Sequence, residues 1–60
     1  MRKMNDAERY ITRIADHARQ TAAWRYYHWC AARNNVGGTL TDAPAVPDAV
    51  RTVIDRLMGS

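Results

Sequence analysis

From Asn5 to Arg33 the chain runs without a glycine or a proline, and most of its residues are good helix formers: Ala, Arg, Glu, Gln and Ile. Apolar positions recur along the first part as Met4, Ala7, Ile11, Ile14, Ala15, Ala18 and Ala22, the spacing of one helix face. Asn5 or Asp6 is placed to cap the start, and Asp6 and Glu8 suit the positive end of a helix dipole. Asn34, Asn35, Gly37 and Gly38 form the stop signal. The pattern predicts one helix over residues 5–33, about 42 Å long at about 1.5 Å per residue.

Residues 34–47 read as a connector, because VGGTLTDAPAVP at 36–47 carries Gly37, Gly38, Pro44 and Pro47. A second helix is expected over 48–58, opening near Pro47 or Asp48 and closed by Gly59. Val50, Val53, Ile54 and Leu57 fall on one of its faces, and Asp55 can pair with Arg51 one turn back. The expected fold is therefore all-α, a single domain over residues 1–60 built as a hairpin of one long and one short helix.

The unequal arms carry a consequence. A second helix about 17 Å long covers only the C-terminal half of the first, near residues 19–33. The stripe from Met4 to Ala18 is left without a cover, and an exposed apolar stripe is an interaction surface. A chain this short usually needs a staple or a partner, and its one cysteine, Cys30, rules out an internal disulfide. These points predict a homodimer, two hairpins forming an antiparallel helix bundle, or a different protein lying on the same stripe. The expected oligomer interface is Met4, Ala7, Ile11, Ile14, Ala18 and Trp29, joined by Ala22 and the apolar face of the second helix.

Four of the five aromatic residues crowd into AAWRYYHWCAAR, residues 22–33. At about 100° per residue, Tyr27 and His28 lie within about 60° of Trp24, with Gln20, His17, Arg13 and Tyr10 further back on that side. Trp29 falls about 140° away, on the aliphatic stripe, while Tyr26 and Cys30 take a third direction with Glu8, Thr12 and Asp16. The polar and aromatic side, Tyr10, Arg13, His17, Trp24, Tyr27 and His28, is the expected partner-binding face, since Trp, Tyr and Arg dominate binding hot spots. The competing account places Trp24 and Tyr27 in a dimer core or beneath the 36–47 loop.

Charge and chemistry narrow the function further. The net charge is +3, from nine basic and six acidic residues, and the charges are interspersed. Eight of the nine basic residues are Arg, which suits phosphate binding but also follows from a GC-rich coding sequence. No apolar run approaches the roughly 18 residues of a spanning helix, and MRKMNDAERY holds no apolar leader segment. A cytoplasmic protein without membrane contact is expected.

His17, His28 and Cys30 are the candidate metal ligands. On one helix His28 and Cys30 diverge by about 160°, and His17 lies about 16 Å from His28, so no metal and no cofactor are expected. Cys30 has no base beside it and no carboxylate pair stands in an apolar setting, so no catalytic residue is assigned and an enzyme is not expected.

Helix-turn-helix binding needs a turn of about three or four residues. A ribbon-helix-helix needs an N-terminal strand, and a basic zipper needs clustered cations. None is present. Arg9, Arg13, Arg25 and Arg33 with the aromatics leave only a sequence-tolerant nucleic-acid mode. Arg25 and Arg33 each stand four residues from Trp29, where they would pack on its indole. No motif is specific enough to carry a family resemblance. The expected function is a small non-enzymatic interaction module, of the regulator or inhibitor type common in bacteria and their phages. It would dimerise and show an aromatic and arginine surface to a protein partner. A weak nucleic-acid binder and a structural subunit of a larger assembly are the alternatives.

Overall fold

The computed structural model describes residues 3–36 and 42–59. These are all-helical, but in three helices rather than a hairpin of two: α1 (Asp6–Thr12), α2 (His17–Val36) and α3 (Asp48–Leu57). The expected helix over 5–33 is broken at residues 13–16. Each helix touches both of the others. α2, at 20 residues, is about 30 Å long and matches the longest dimension of the molecule, 32 Å.

α1 starts on a reciprocal capping box. Asn5 Oδ1 accepts from the Glu8 amide at 2.8 Å, and Glu8 Oε1 accepts from the Asn5 amide at 3.0 Å. The helix ends without glycine. The amides of Arg13 and Ile14 close back on the carbonyls of Tyr10 and Ile11 at 3.2 and 3.1 Å, the tightened last turn that satisfies orphan carbonyls. Three residues on, Asp16 caps α2: its Oδ1 accepts from the Arg19 amide at 3.1 Å and its carbonyl accepts from the Gln20 amide at 2.8 Å. The Gln20 side-chain amide reaches back across the corner to the carbonyls of Ile11, Thr12 and Ile14, at 3.2 to 3.5 Å.

The break resolves the inequality of the arms. Folding α1 back puts Ala7 and Ile11 into the chain's own core, at 1% and 0% exposure. Burying an Ile side chain contributes about 1.5–3 kcal/mol, and the capped ends replace most of the backbone bonds that the corner gives up. Two residues assigned to an oligomer interface are thus covered from within. Of the others, Met4 and Ala18 are exposed, while Ile14 and Trp29 are half-buried against the core.

The corner also resets the helical phase. A stripe extrapolated from Ala7 and Ile11 runs through Ala15, Ala18 and Ala22, yet Ala15 and Ala18 are exposed. The buried line of α2 is instead Ala23, Tyr26 and Tyr27, with Cys30 half-buried one turn further on. Tyr26 and Cys30, set apart in a third direction on a continuous helix, are core-facing on the real one.

α3 follows its expected bounds closely. Val50 and Ile54 are buried, Val53 is half-buried, and Leu57 at the last turn is 37% exposed. Pro47 stands at its N-cap with φ −55°, and Gly59 behind it takes φ +84°, a left-handed conformation suited to glycine. α2 continues three residues beyond Arg33. Gly37 and Gly38 of the expected connector lie outside the described residues, and residues 42–47 are non-helical with Val46 on the core.

Ile11→Ala should destabilise the chain by about 2–5 kcal/mol, and Asp16→Ala by about 1 kcal/mol through loss of the α2 cap. Urea titration followed by circular dichroism reads both. An Ile11→Ala midpoint equal to that of the wild type would show that α1 does not close the core.

Candidate interaction surface

Two consecutive tyrosines anchor α2 to its neighbours. The Tyr26 hydroxyl donates to Asp55 Oδ1 of α3 at 2.5 Å, and the Tyr27 hydroxyl accepts from Asn5 Nδ2, ahead of α1, at 2.9 Å. Buried tyrosines are tolerable because their polar tips find partners. Asp55 therefore serves α2, and the expected pairing with Arg51 is replaced: Arg51 reaches Asp48 at 3.2 Å on the exposed side of α3.

Burial, the hydrogen bond to Asp55 and the neighbouring Cys30 together push the Tyr26 phenol well above its ordinary value of 10.0. Cys30 is pushed up from 9.0 by burial, which outweighs the lowering effect of the Tyr26 hydrogen bond; the Asp55 charge adds to the rise and Arg33 opposes it. The Cys30 side chain is thus a protonated thiol at neutral pH, and the nucleophile is the thiolate.

On the other side of the helix the rings form two groups. Trp24 meets Tyr27 edge to face at 5.8 Å and stacks with His28 at 5.8 Å, and Tyr27 meets His28 at 5.4 Å. Trp29 stacks on Tyr26 at 6.0 Å, and the Arg33 guanidinium lies 5.5 Å from the centre of its indole. The spacing of four between Trp29 and Arg33 anticipates that last contact.

The six residues expected to form a partner face are divided. Trp24, Tyr27 and His28 stand together, but Tyr27 is 93% buried (7% exposed) and offers little to a partner. Tyr10 is half-buried against the core. Arg13 is exposed at the α1–α2 corner, which takes it out of register with Trp24, whereas His17 opens α2 and stays on the Trp24 side two turns earlier, exposed. What remains accessible is half-buried Trp24, exposed His17 and His28 and, beside them, exposed Arg25.

Asn5 and Asp55 are the residues that sequence reasoning did not connect with the aromatics. Asn5 was legible as a cap, but its second contact, 22 residues away, has no local signature. Among the described residues no three His, Cys, Asp or Glu side chains gather as a metal site requires, and no described helix is long and apolar enough to cross a membrane. No family model, curated protein or solved structure matches the chain.

Tyr26 and Cys30 set an alkaline limit on stability. With both groups raised in the folded chain, the unfolded chain releases their protons first. Their contribution is complete below the ordinary values of 9.0 and 10.0 and is lost as pH rises beyond them. Tyr26→Phe should cost about 1–3 kcal/mol at neutral pH and flatten the fall in melting temperature above pH 9. An alkaline fall as steep as that of the wild type would remove Tyr26 as its source.

Proposed function

We propose that the chain is a small non-enzymatic interaction module, of regulator or inhibitor type, that engages a protein partner through the outward side of α2. The supporting observation is the ring group of Trp24, Tyr27 and His28. Its inner member is pinned by Asn5 and its outer members reach the surface. Aromatic anchors held in this way lose little conformational freedom on binding, which is what makes them effective in recognition. The protonated, half-buried Cys30 argues against a thiol nucleophile. We place the activity in the cytoplasm, where such a thiol stays reduced.

Self-association loses much of its original support, because Ala7 and Ile11 are buried within one chain. A homodimer would form through what stays accessible of the expected interface: Met4, Ala18, Leu57 and the exposed parts of Ile14 and Trp29. A structural-subunit role needs the same contacts repeated. The nucleic-acid alternative needs free ring faces for bases, whereas His28 stacks on Trp24, and Trp29 already has Tyr26 and Arg33 against it.

Sedimentation velocity on the pure chain should return a monomer. A dimer would restore that homodimer interface. Affinity capture from the native host, run with the wild type and with Trp24→Ala, should retain a protein that the variant loses while circular dichroism stays unchanged. Equal retention by a folded Trp24→Ala would remove this surface from the proposal.

A further inference from the structure

The corner between α1 and α2 bends a stretch whose residues favour helix. It reads Arg13, Ile14, Ala15, Asp16, inside a segment free of glycine and proline. No described non-glycine residue has a positive φ, and Arg13 stands at φ −88°, ψ −6°, a short rotation from helical values. The bend is held by side chains. Asp16 Oδ1 accepts from the Arg19 amide at 3.1 Å, and the Gln20 side-chain amide is shared among three carbonyls at 3.2 to 3.5 Å. Hydrogen bonds at the long end of that range are weak. Straightened, the same stretch closes backbone bonds of its own from each amide to the carbonyl four residues back. Local preference and tertiary packing pull this corner in opposite directions, a conflict found in segments with two accessible arrangements.

The apolar positions carry the mark of the second arrangement. On a helix continuous through the corner, Ala7, Ile11, Ile14, Ala15, Ala18 and Ala22 lie within an arc of about 100°. The bent chain divides them: Ala7 and Ile11 are buried, Ile14 and Ala22 half-buried, Ala15 and Ala18 exposed. The same residues are symmetric about the corner. When two straight copies lie antiparallel about a two-fold axis between residues 14 and 15, Ala7 falls opposite Ala22, Ile11 opposite Ala18, and Ile14 opposite Ala15. Each isoleucine meets an alanine, the alternation of large and small that lets facing helices interdigitate. A two-fold interface requires this self-complementarity, since residue i contacts j and j contacts i. The stripe stands about 120° from the α2 line of Ala23, Tyr26, Tyr27 and Cys30, so a second copy can lie on it with α3 in place.

We propose that residues 13–16 are a hinge between two states of the chain: the bent monomer, and an antiparallel dimer in which two straightened copies bury this stripe against each other. Opening gives up the Asn5–Tyr27 hydrogen bond and the burial of Ala7 and Ile11 within one chain. The dimer restores that burial between chains and covers Ala15 and Ala18 as well. Association favours the dimer by mass action, so the bent monomer holds in dilute solution and the straight form gains with concentration. The switch goes beyond the partner-binding reading and does not rest on it, because Trp24 stands about 130° from the stripe.

The test uses the intact chain carrying Asp16→Ala and Gln20→Ala together, which removes both side chains that hold the bend and places strong helix formers there. Sedimentation velocity reads association, and far-ultraviolet circular dichroism reads helix content at the same concentrations. In dilute solution the wild type should sediment as a monomer, and the double variant as a dimer with about one more turn of helix. Adding Ala18→Glu, exposed in the bent chain and central in the stripe, should return the double variant to a monomer. Adding Ala15→Gly instead, one glycine in each of two straight helices, should weaken the dimer about thirtyfold. A monomeric double variant with unchanged helix content would overturn the hinge, and so would a loss of helix in place of the gain. A dimer indifferent to Ala18→Glu would overturn the stripe as its interface. A dimer without added helix, indifferent to Ala15→Gly, would overturn the straightening. None of these outcomes bears on capture of a partner through Trp24, which judges that reading separately.

Discussion

The side-chain amide of Gln20 lies across the last carbonyls of α1, and the fold depends on the corner it helps to close. A helix running straight through residues 13–16 would carry Ala7 and Ile11 beyond the reach of α3, which spans only about 15 Å. Turning at the corner costs a few helical hydrogen bonds. Asp16, Gln20 and the tightened end of α1 supply replacements, so the cost is small beside the burial of Ile11. The chain becomes a three-helix unit that covers Ala7 and Ile11, the first half of its apolar stripe, and leaves Met4, Ala15 and Ala18 exposed.

Once the corner is made, α2 serves as the spine of the molecule. Its inner side holds tyrosines where larger proteins would place Leu or Phe, and each hydroxyl reaches a different element. Tyr27 meets the cap of α1 and Tyr26 meets α3. In so small a core, directional contacts define how the helices sit against one another when shape alone is a weak guide. Asn5 illustrates the economy of this arrangement: its oxygen caps α1 while its amide holds Tyr27.

The inner tyrosines also shape the outer surface. Rings at positions three and four residues apart support one another along a helix. Trp24 leans on Tyr27 and His28, and Trp29 is held between Tyr26 and Arg33. The outer side of α2 is therefore stiffened by core residues, with Arg25 exposed between the two supported indoles.

Several features were legible in the residues themselves: the all-helical class, the cap at Asn5, the short helix from Asp48, the stop at Gly59 and the seat of Arg33 on Trp29. All arise from interactions within a turn or two, which local spacing encodes. The break at 13–16 was not legible, because no glycine or proline marks it and Asp16 is one of several residues able to cap. With the break unseen, the helical phase was carried from α1 into α2. That placed Tyr27 on a binding face and Tyr26 on a side face, when both are core. The sequence by itself determined which segments are helical and which side chains could cap, stack or carry charge. Only the tertiary structure decided where the long helix turns and which side of α2 faces inward. Those outcomes rest on burying Ile11 and on hydrogen bonds spanning 22 and 29 residues, a balance of contacts distant in the chain.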